Sequence, residues 1–350
     1  MSRYSSGRLS SPYLPDLPCG FLVDAGRYEI LNRIGSGSFG VVYRALERVP
    51  GSDETIVRAI KVMPFLHTGG PYGANAKEAK ERAVATMQDR EMSLHERASG
   101  HPNVVTLRRC MYSDKYAYIV MDYVSGGNLR HAVRERMCLA DRPVEVKRIM
   151  LQIIDAVAAC HEKGIYHGDL KPSNILTDLL MTQMFLADFG MASDIRESKE
   201  FRHGTYRYIC PGKWLSAVES QQYQDAHTSP CPTEGLGYPA LSFDRQQNDI
   251  WALGIILLEL VCGCTMWEEA TTAHATFRQF IRNPMSLRRT FPLSPACVSL
   301  LARVLAVDPA ERLSLAEFRT ALCEVPSFWI QEWELCAMGD RTVRVLEQGL

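Results

Sequence analysis

From residue 28 the chain reads Tyr-Glu-Ile-Leu-Asn-Arg-Ile, an alternation of apolar and polar side chains with the period of two that a half-buried strand imposes. Glycines at 35, 37 and 40 interrupt it, and the next six residues, Val-Val-Tyr-Arg-Ala-Leu, are β-prone again. The glycine-rich turn therefore joins two strands of a hairpin. Residues 57–62, Val-Arg-Ala-Ile-Lys-Val, predict another strand. Gly69, Gly70, Pro71 and Gly73 make 64–75 a loop, and the good helix formers of 76–98 predict one long helix. His101-Pro102-Asn103 stops it, strands are expected at 104–107 and 116–121, and Gly126-Gly127 make 122–127 a hinge.

Beyond the hinge the period changes to that of helices. Asp141 and Pro143 form a start signal, Ile149, Ile153, Ile154, Val157 and His161 share one face, and Gly164 is a stop. A short strand is expected at 184–187, a polar loop at 191–203 and a compact turn at 204–212. Residues 214–247 are rich in Gln, Ser, Pro, Gly and Asp without periodicity and predict a surface insertion. Residues 250–267 are nearly all apolar, but Asp249 opens the run and Glu259 lies inside it, and both are expensive in lipid. A helix apolar all round is then the buried centre of a large domain. Further helices are expected at 273–281, 296–304 and 314–322, with Trp329 and Trp333 packing back. There is no internal repeat. The pattern describes an α+β chain in which a small β-rich part with one main helix precedes a larger helical part.

Composition narrows the possible functions. The 350 residues are 46% hydrophobic and 23% charged, ordinary for a folded soluble protein, and the net charge of −1 argues against nucleic-acid or anionic-membrane binding. Residues 1–19 contain no apolar run, so neither a signal peptide nor a membrane anchor is expected, and 1–25 read as a flexible arm. Eleven scattered cysteines without a Cys-x-x-Cys pair fit a reduced intracellular compartment, cytoplasm or nucleus, and argue against zinc. Cys262 and Cys264 are expected in the core at a helix end.

Two short stretches carry the candidate chemistry. Residues 165–174, Ile-Tyr-His-Gly-Asp-Leu-Lys-Pro-Ser-Asn, place the carboxylate Asp169, the ammonium Lys171 and the amide Asn174 in one tight loop. Residues 186–190, Leu-Ala-Asp-Phe-Gly, end a strand with Asp188. Two carboxylates, an amide and a lysine are what phosphoryl transfer needs: one group orients a hydroxyl, two hold Mg²⁺, and a cation neutralises charge. The Gly-x-Gly-x-x-Gly at 35–40 has two meanings. A dinucleotide site requires a helix after the glycines and an acidic residue about 20 positions on. Here a strand follows and the residue near that distance is Lys61, which suits a lysine on nucleotide phosphates. Glu91, on the predicted long helix, is the candidate partner of Lys61.

Together these motifs resemble the eukaryotic Ser/Thr protein kinase family from about residue 28 to 325. The resemblance implies a two-lobed fold: an N-lobe at 26–121, the hinge, a C-lobe at 128–325 carrying the insertion, and a tail at 326–350. It implies ATP and Mg²⁺ as cofactors and proteins bearing Ser or Thr as substrates, with nucleic acid and membrane excluded and oligomeric state open. Gly35, Gly37 and Gly40 would cover the ATP phosphates, and Ile34, Val42, Ala59 and Leu176 would line the adenine slot. Met121 resembles the gatekeeper, with backbone groups of Asp122 and Val124 on the adenine edge. Lys61 with Glu91 would hold the α/β-phosphates. Asp169 resembles the catalytic base, Lys171 the phosphate-neutralising lysine, Thr205 their brace, and Asn174 and Asp188 the Mg²⁺ ligands. Asp249, Trp251 and Gly254 are similar to the start of the family's buried C-lobe helix, and Arg312 to its late structural arginine. More narrowly, 91–95, 165–167 and 248–254 are similar to a fungal group of nutrient- and meiosis-regulating kinases.

Three departures matter. His167-Gly168-Asp169 lacks the arginine that receives an activation-loop phosphate, so activity is expected without such phosphorylation. Cys210-Pro211-Gly212 lacks a glutamate, leaving Arg312 to find a substitute partner, from the insertion for example, or solvent. Asn128 and Ser173 stand where many basophilic kinases carry acids, which weakens any expectation of arginine upstream of the target. The alternative to an active enzyme is a pseudokinase, a nucleotide-binding scaffold or regulator.

Overall fold

The structure, a computed structural model, describes residues 16–37, 40–64, 76–135, 139, 142–199, 204–211 and 242–331. The expectations for the arm at 1–15, Ser38 and Phe39, the loop at 65–75, Asp141, residues 200–203, Gly212, the insertion up to 241, Trp333 and the tail at 332–350 fall outside them. The chain divides into two compact units, one running to Ser125 and including Asp188–Gly190, the other comprising Gly126–Ala187 and the residues from Met191.

The first unit is a six-stranded antiparallel sheet and one helix. Its strands are β1 (Leu22–Val23), β2 (Tyr28–Gly37), β3 (Gly40–Arg48), β4 (Thr55–Pro64), β5 (Leu107–Tyr112) and β6 (Tyr116–Asp122), in the order β1-β2-β3-β4-β6-β5. The sheet thus begins before residue 26, inside the stretch read as an arm. Alternation divides it into two faces. Tyr28, Ile30, Val41, Tyr43, Ala45, Ile60, Val62 and Val120 bury one. Met63, Ala117 and Ile119 on the other pack Met92 of the helix α1 (Ala76–Ala98). Glu47 is buried among Arg27, Arg58 and the Tyr28 hydroxyl. Burial pushes its pKa up, but hydrogen bonds from Arg58 and Arg27 outweigh that and hold it below the usual range.

Residues 104–106 are not part of a strand; β5 starts at Leu107. Val104 and Val105 are apolar because they are buried, and the Val105 carbonyl is held by His95 Nε2 at 2.7 Å. The strand itself carries Arg108 and Arg109, which pair with Asp122 and Asp24.

The second unit is mainly helical: α2 (Leu129–Glu135), α3 (Pro143–Glu162), α4 (Arg245–Cys262), α5 (Ala275–Arg282), α6 (Pro295–Val304) and α7 (Leu315–Glu324). Two small ladders accompany them, β7 (Ile175–Thr177) with β8 (Met184–Leu186), and β9 (Glu197–Ser198) with β10 (Phe243–Asp244). Ser314 and Glu317 form a capping box that starts α7. Trp329 packs back on α4, its indole N–H donating to Val261 O.

The apolar helix α4 begins at Arg245, earlier than hydropathy suggested. The Asp244 carboxylate accepts from Gln246 N and Gln247 N, and such a cap sets the start of a helix regardless of where the apolar run begins. It ends before Gly263, whose φ of 73° closes the helix in the left-handed region. Glu259 accepts from the Tyr208 hydroxyl at 2.8 Å, and burial raises its pKa. Among the described residues no helix is long and apolar enough to cross a membrane.

Arg312, expected to draw on the insertion or on solvent, is buried and uses the backbone. Nε and Nη2 donate to Ala306 O at 3.0 and 2.8 Å, Nη1 donates to Gln247 O at 2.9 Å, and the guanidinium lies over the Trp251 ring. Gln247, the last residue of the stretch read as insertion, is in the first turn of α4. Carbonyl dipoles and a π-face replace the carboxylate, and burial lowers the arginine's pKa.

Candidate active site

The sheet register places one set of the expected residues. Gly35 is opposite Val42, Val42 opposite Lys61, and Ala59 opposite Met121. Cross-strand partners point to the same side, so Val42, Ala59, Lys61 and Met121 share the face that also meets α1. A Cβ at Gly40 would come within 2.5 Å of Val62 O, so only glycine fits there. At Gly37 nothing among the described residues lies within 4 Å of such an atom, and Ile34 is 44% exposed. Asp122 donates its N–H to Thr106 O and its carboxylate takes Arg58 and Arg108, which limits a contact with a base to its carbonyl. Val124 is half-buried beyond the end of β6.

Lys61 is buried and donates to Glu91 Oε1 at 2.5 Å and Asp188 Oδ1 at 3.0 Å. Burial alone would lower its pKa, but Asp188 and Glu91 outweigh it and hold the ammonium above its usual range. Asp188 has a φ of 63°, a conformation uncommon for a residue with a Cβ and one that surrounding contacts must sustain. Phe189 next to it is fully buried and stacks on His95 at 4.7 Å.

In the second unit Asp169, Lys171, Asn174 and Thr205 form a closed ring of hydrogen bonds. Asp169 Oδ1 accepts from Thr205 N at 3.0 Å and Thr205 Oγ1 at 2.8 Å. Its Oδ2 accepts from Lys171 Nζ at 2.5 Å and Asn174 Nδ2 at 3.3 Å, and Lys171 Nζ also reaches Thr205 Oγ1 at 2.9 Å. Asn174 Nδ2 donates to Asp169 O as well. With its nitrogen committed to Asp169, the amide has its oxygen left as an acceptor. Leu176 is half-buried in β7.

Two determinants of this loop were not legible in its motif. The first is Asp249, fully buried in α4. It accepts from His167 N at 2.8 Å, Gly168 N at 2.9 Å and His161 Nε2 at 3.0 Å, so one carboxylate holds the two residues that precede Asp169. Burial would raise its pKa, but the His161 hydrogen bond and charge, with Gly168 N–H, keep it below the usual carboxylate range. The second is Arg245. Gly168 has a φ of 77°, and a Cβ there would meet Met191 O at 2.7 Å, so the missing arginine could not occupy this backbone unchanged. Arg245 Nη1 lies 3.8 Å from that position, and its Nη2 donates to Ser198 Oγ at 2.9 Å from a buried site. A guanidinium from α4 therefore ties down the segment after Asp188 through a serine hydroxyl.

Asn174 and Asp188 offer hard oxygen ligands, and Asp188 is 44% exposed in its side chain. Among the described residues no group of three or more His, Cys, Asp or Glu could hold a metal by itself. The eight described cysteines are all free, Cys262 half-buried and Cys264 exposed rather than in the core.

Residues 28–229 and 239–322 match the family described as protein kinase domain. Among curated proteins, the chain is 33% identical over 288 residues to the negative regulator of sexual conjugation and meiosis of Schizosaccharomyces pombe, covering 82% of this chain and 57% of that protein. It is 29% identical over 337 residues to serine/threonine-protein kinase VHS1 of Saccharomyces cerevisiae, covering 86% and 70%. To serine/threonine-protein kinase SKS1 of the same yeast it is 27% identical over 340 residues, covering 86% and 65%.

The Asp249 contacts predict a pH signature. A carboxylate whose folded pKa lies below its unfolded value of about 3.9 contributes stability that is fully present above that value and lost as pH falls through the folded one. Asp249→Asn presents N–H groups to N–H donors and is expected to cost about 3 kcal/mol at pH 7. Denaturant unfolding across pH should show that gap to the wild type steady from pH 7 to about 4 and narrowing below it. A gap unchanged on acidification contradicts the assignment.

Proposed function

Because the chain belongs to the protein kinase domain family, we propose that it is an active serine/threonine kinase that transfers the γ-phosphate of ATP to serine and threonine hydroxyls of proteins. The observation that carries this is the ring around Asp169, whose carboxylate is oriented on both oxygens by Thr205 and Lys171. A scaffold has no need of a carboxylate held in that way. Asp169 is assigned as the base that orients the acceptor hydroxyl and takes its proton, Lys171 as the cation beside the transferred phosphoryl group, and Thr205 as their brace. Lys61, held by Glu91, is assigned to the α/β-phosphates, under the backbone of Gly35, Gly37 and Gly40. Ile34, Val42, Ala59, Met121 and Leu176 would enclose the base, with backbone groups of Asp122 and Val124 at its edge. Asn174 and Asp188 would hold Mg²⁺, which when bound with ATP neutralises phosphate charge. Free cysteines support an intracellular location, cytoplasm or nucleus.

Two tests follow. With Mg²⁺, ATP and a broad library of Ser/Thr peptides, Asp169→Asn should lower kcat a hundredfold or more while ATP affinity stays within about threefold. If the wild type binds ATP yet phosphorylates nothing, the chain is a pseudokinase and the proposal is wrong.

The Arg245–Ser198 contact predicts that activity does not wait on phosphorylation of the segment after Asp188. Exhaustive phosphatase treatment should leave the wild-type rate within about twofold. Arg245→Gln should lower kcat about tenfold, the worth of one charge-assisted hydrogen bond. Inactivation by phosphatase, restored by rephosphorylation at Ser193 or Ser198, contradicts this.

A further inference from the structure

A row of alternating charges crosses the first unit on the face of the sheet that carries Tyr28, Ile60 and Val120. Arg27 Nη2 donates to Glu47 Oε1 at 2.6 Å, and Arg58 Nε donates to Glu47 Oε2 at 2.7 Å. Arg58 Nη1 donates in turn to Asp122 Oδ1 at 2.5 Å. Arg108 completes the row with two bonds, Nε to Asp122 Oδ1 at 2.7 Å and Nη2 to Oδ2 at 2.6 Å. A lone exposed ion pair holds little. Here one carboxylate takes three charge-assisted bonds from two guanidinia, one of them bidentate, and the Arg58 side chain is only 14% exposed. The pairing of β5 with β6 is irregular between Leu107 and Arg109, and such a break re-aims the side chain it carries. Arg108 is that residue.

Asp122 ends β6, and the residue after it is held as well. The Arg44 guanidinium lies over the Tyr123 ring, 5.6 Å from its centroid. Arg44 comes from the other face of the sheet, since it follows Val42 by two positions and stands opposite Ala59. Its Nε is buried and has no hydrogen-bond partner among the described residues. Three arginines from three strands, β3, β4 and β5, thus converge on two consecutive residues beside the backbone assigned to the base.

We propose that Arg58 and Arg108, with Arg44 in support, are positioning residues that fix the Asp122–Val124 backbone so that it accepts adenine and rejects guanine. The proposal rests on the assignment of the base edge to that backbone under the kinase reading. A carbonyl at Asp122 and an N–H at Val124 match the amino donor and ring-nitrogen acceptor of adenine. Guanine presents the reverse order, an oxygen acceptor and a ring N–H donor. A backbone free to shift can turn another group toward guanine. One clamped through its side chains cannot, and is left with a carbonyl facing an oxygen. Arg58 acts from the face opposite Lys61, so it steers the base without touching the groups assigned to the phosphates.

The test measures binding and turnover of Mg²⁺-ATP and Mg²⁺-GTP by the full chain. The wild type should bind ATP about a hundredfold more tightly than GTP, because guanine leaves the clamped polar groups unpaired. Arg58→Gln/Arg108→Gln should weaken ATP about tenfold and leave GTP within about twofold, which cuts the preference about tenfold. KM for ATP should rise by that factor with kcat within about twofold, because the groups around Asp169 are unchanged. Arg58→Lys/Arg108→Lys keeps both charges and should stay within about threefold of the wild type. Arg27→Gln removes an ion pair from the same row without touching Asp122, and should alter neither affinity nor preference. If the double variant fails to fold, Arg108→Gln alone decides, its side chain being 49% exposed: ATP should weaken about threefold with GTP unchanged. A wild type indifferent to the base, an equal loss of both nucleotides, or an equal effect of Arg27→Gln overturns the proposal and leaves the kinase reading standing. If the wild type phosphorylates nothing but binds ATP with a preference that the arginine variants lose, the kinase reading fails and the positioning role stands.

Discussion

One buried carboxylate fixes the chemistry-bearing loop. Asp249 stands at the start of the most deeply buried helix and accepts hydrogen bonds from two successive backbone N–H groups, His167 and Gly168, and from the His161 ring. A carboxylate at zero exposure is costly unless every oxygen is satisfied, and here two of the three donors belong to the loop itself. The loop cannot move without exposing that cost. Asp169, one residue further on, inherits its position from this anchor and its orientation from Thr205 and Lys171.

The first unit solves a similar problem at a different charge. Lys61 is buried with two carboxylates around it, Glu91 from α1 and Asp188 from the segment after β8, so its ammonium stays charged and aimed. Asp188 accepts a left-handed backbone to reach it, and the stacked rings of Phe189 and His95 support that turn from behind. Strain and burial thus coincide at the polar groups assigned to the nucleotide. Two of the three departures from the family pattern have a counterpart in the second unit. Arg245 reaches the space beside Gly168, and backbone carbonyls with Trp251 receive Arg312.

Much of this was legible in the sequence because it rests on local signals. The hairpin around Gly35–Gly40, the bounds of α1, and the α+β order follow from alternation, glycine placement and helix propensity. The resemblance to fungal meiosis-regulating kinases agrees with the similarity to a protein of S. pombe that bears such a name. What was missed depends on contacts far apart in sequence or on backbone geometry. Val104 and Val105 look like a strand because burial and strand pairing select the same residues. The start of α4 is set by a cap at Asp244, outside the apolar run. No spacing rule links Ser198 to Arg245, or Arg312 to Gln247 O, and a glycine in place of arginine at 168 gives no hint that its φ is positive.

The anchoring by Asp249 is tested most directly by native-state amide hydrogen exchange of the wild-type protein at His167 and Gly168. Both N–H groups belong to a loop, and loops ordinarily exchange through small local openings. If the buried carboxylate holds them, they should exchange only through global unfolding, as slowly as the core amides of α4. Exchange at the rate of an open loop, with α4 still protected, would contradict the account.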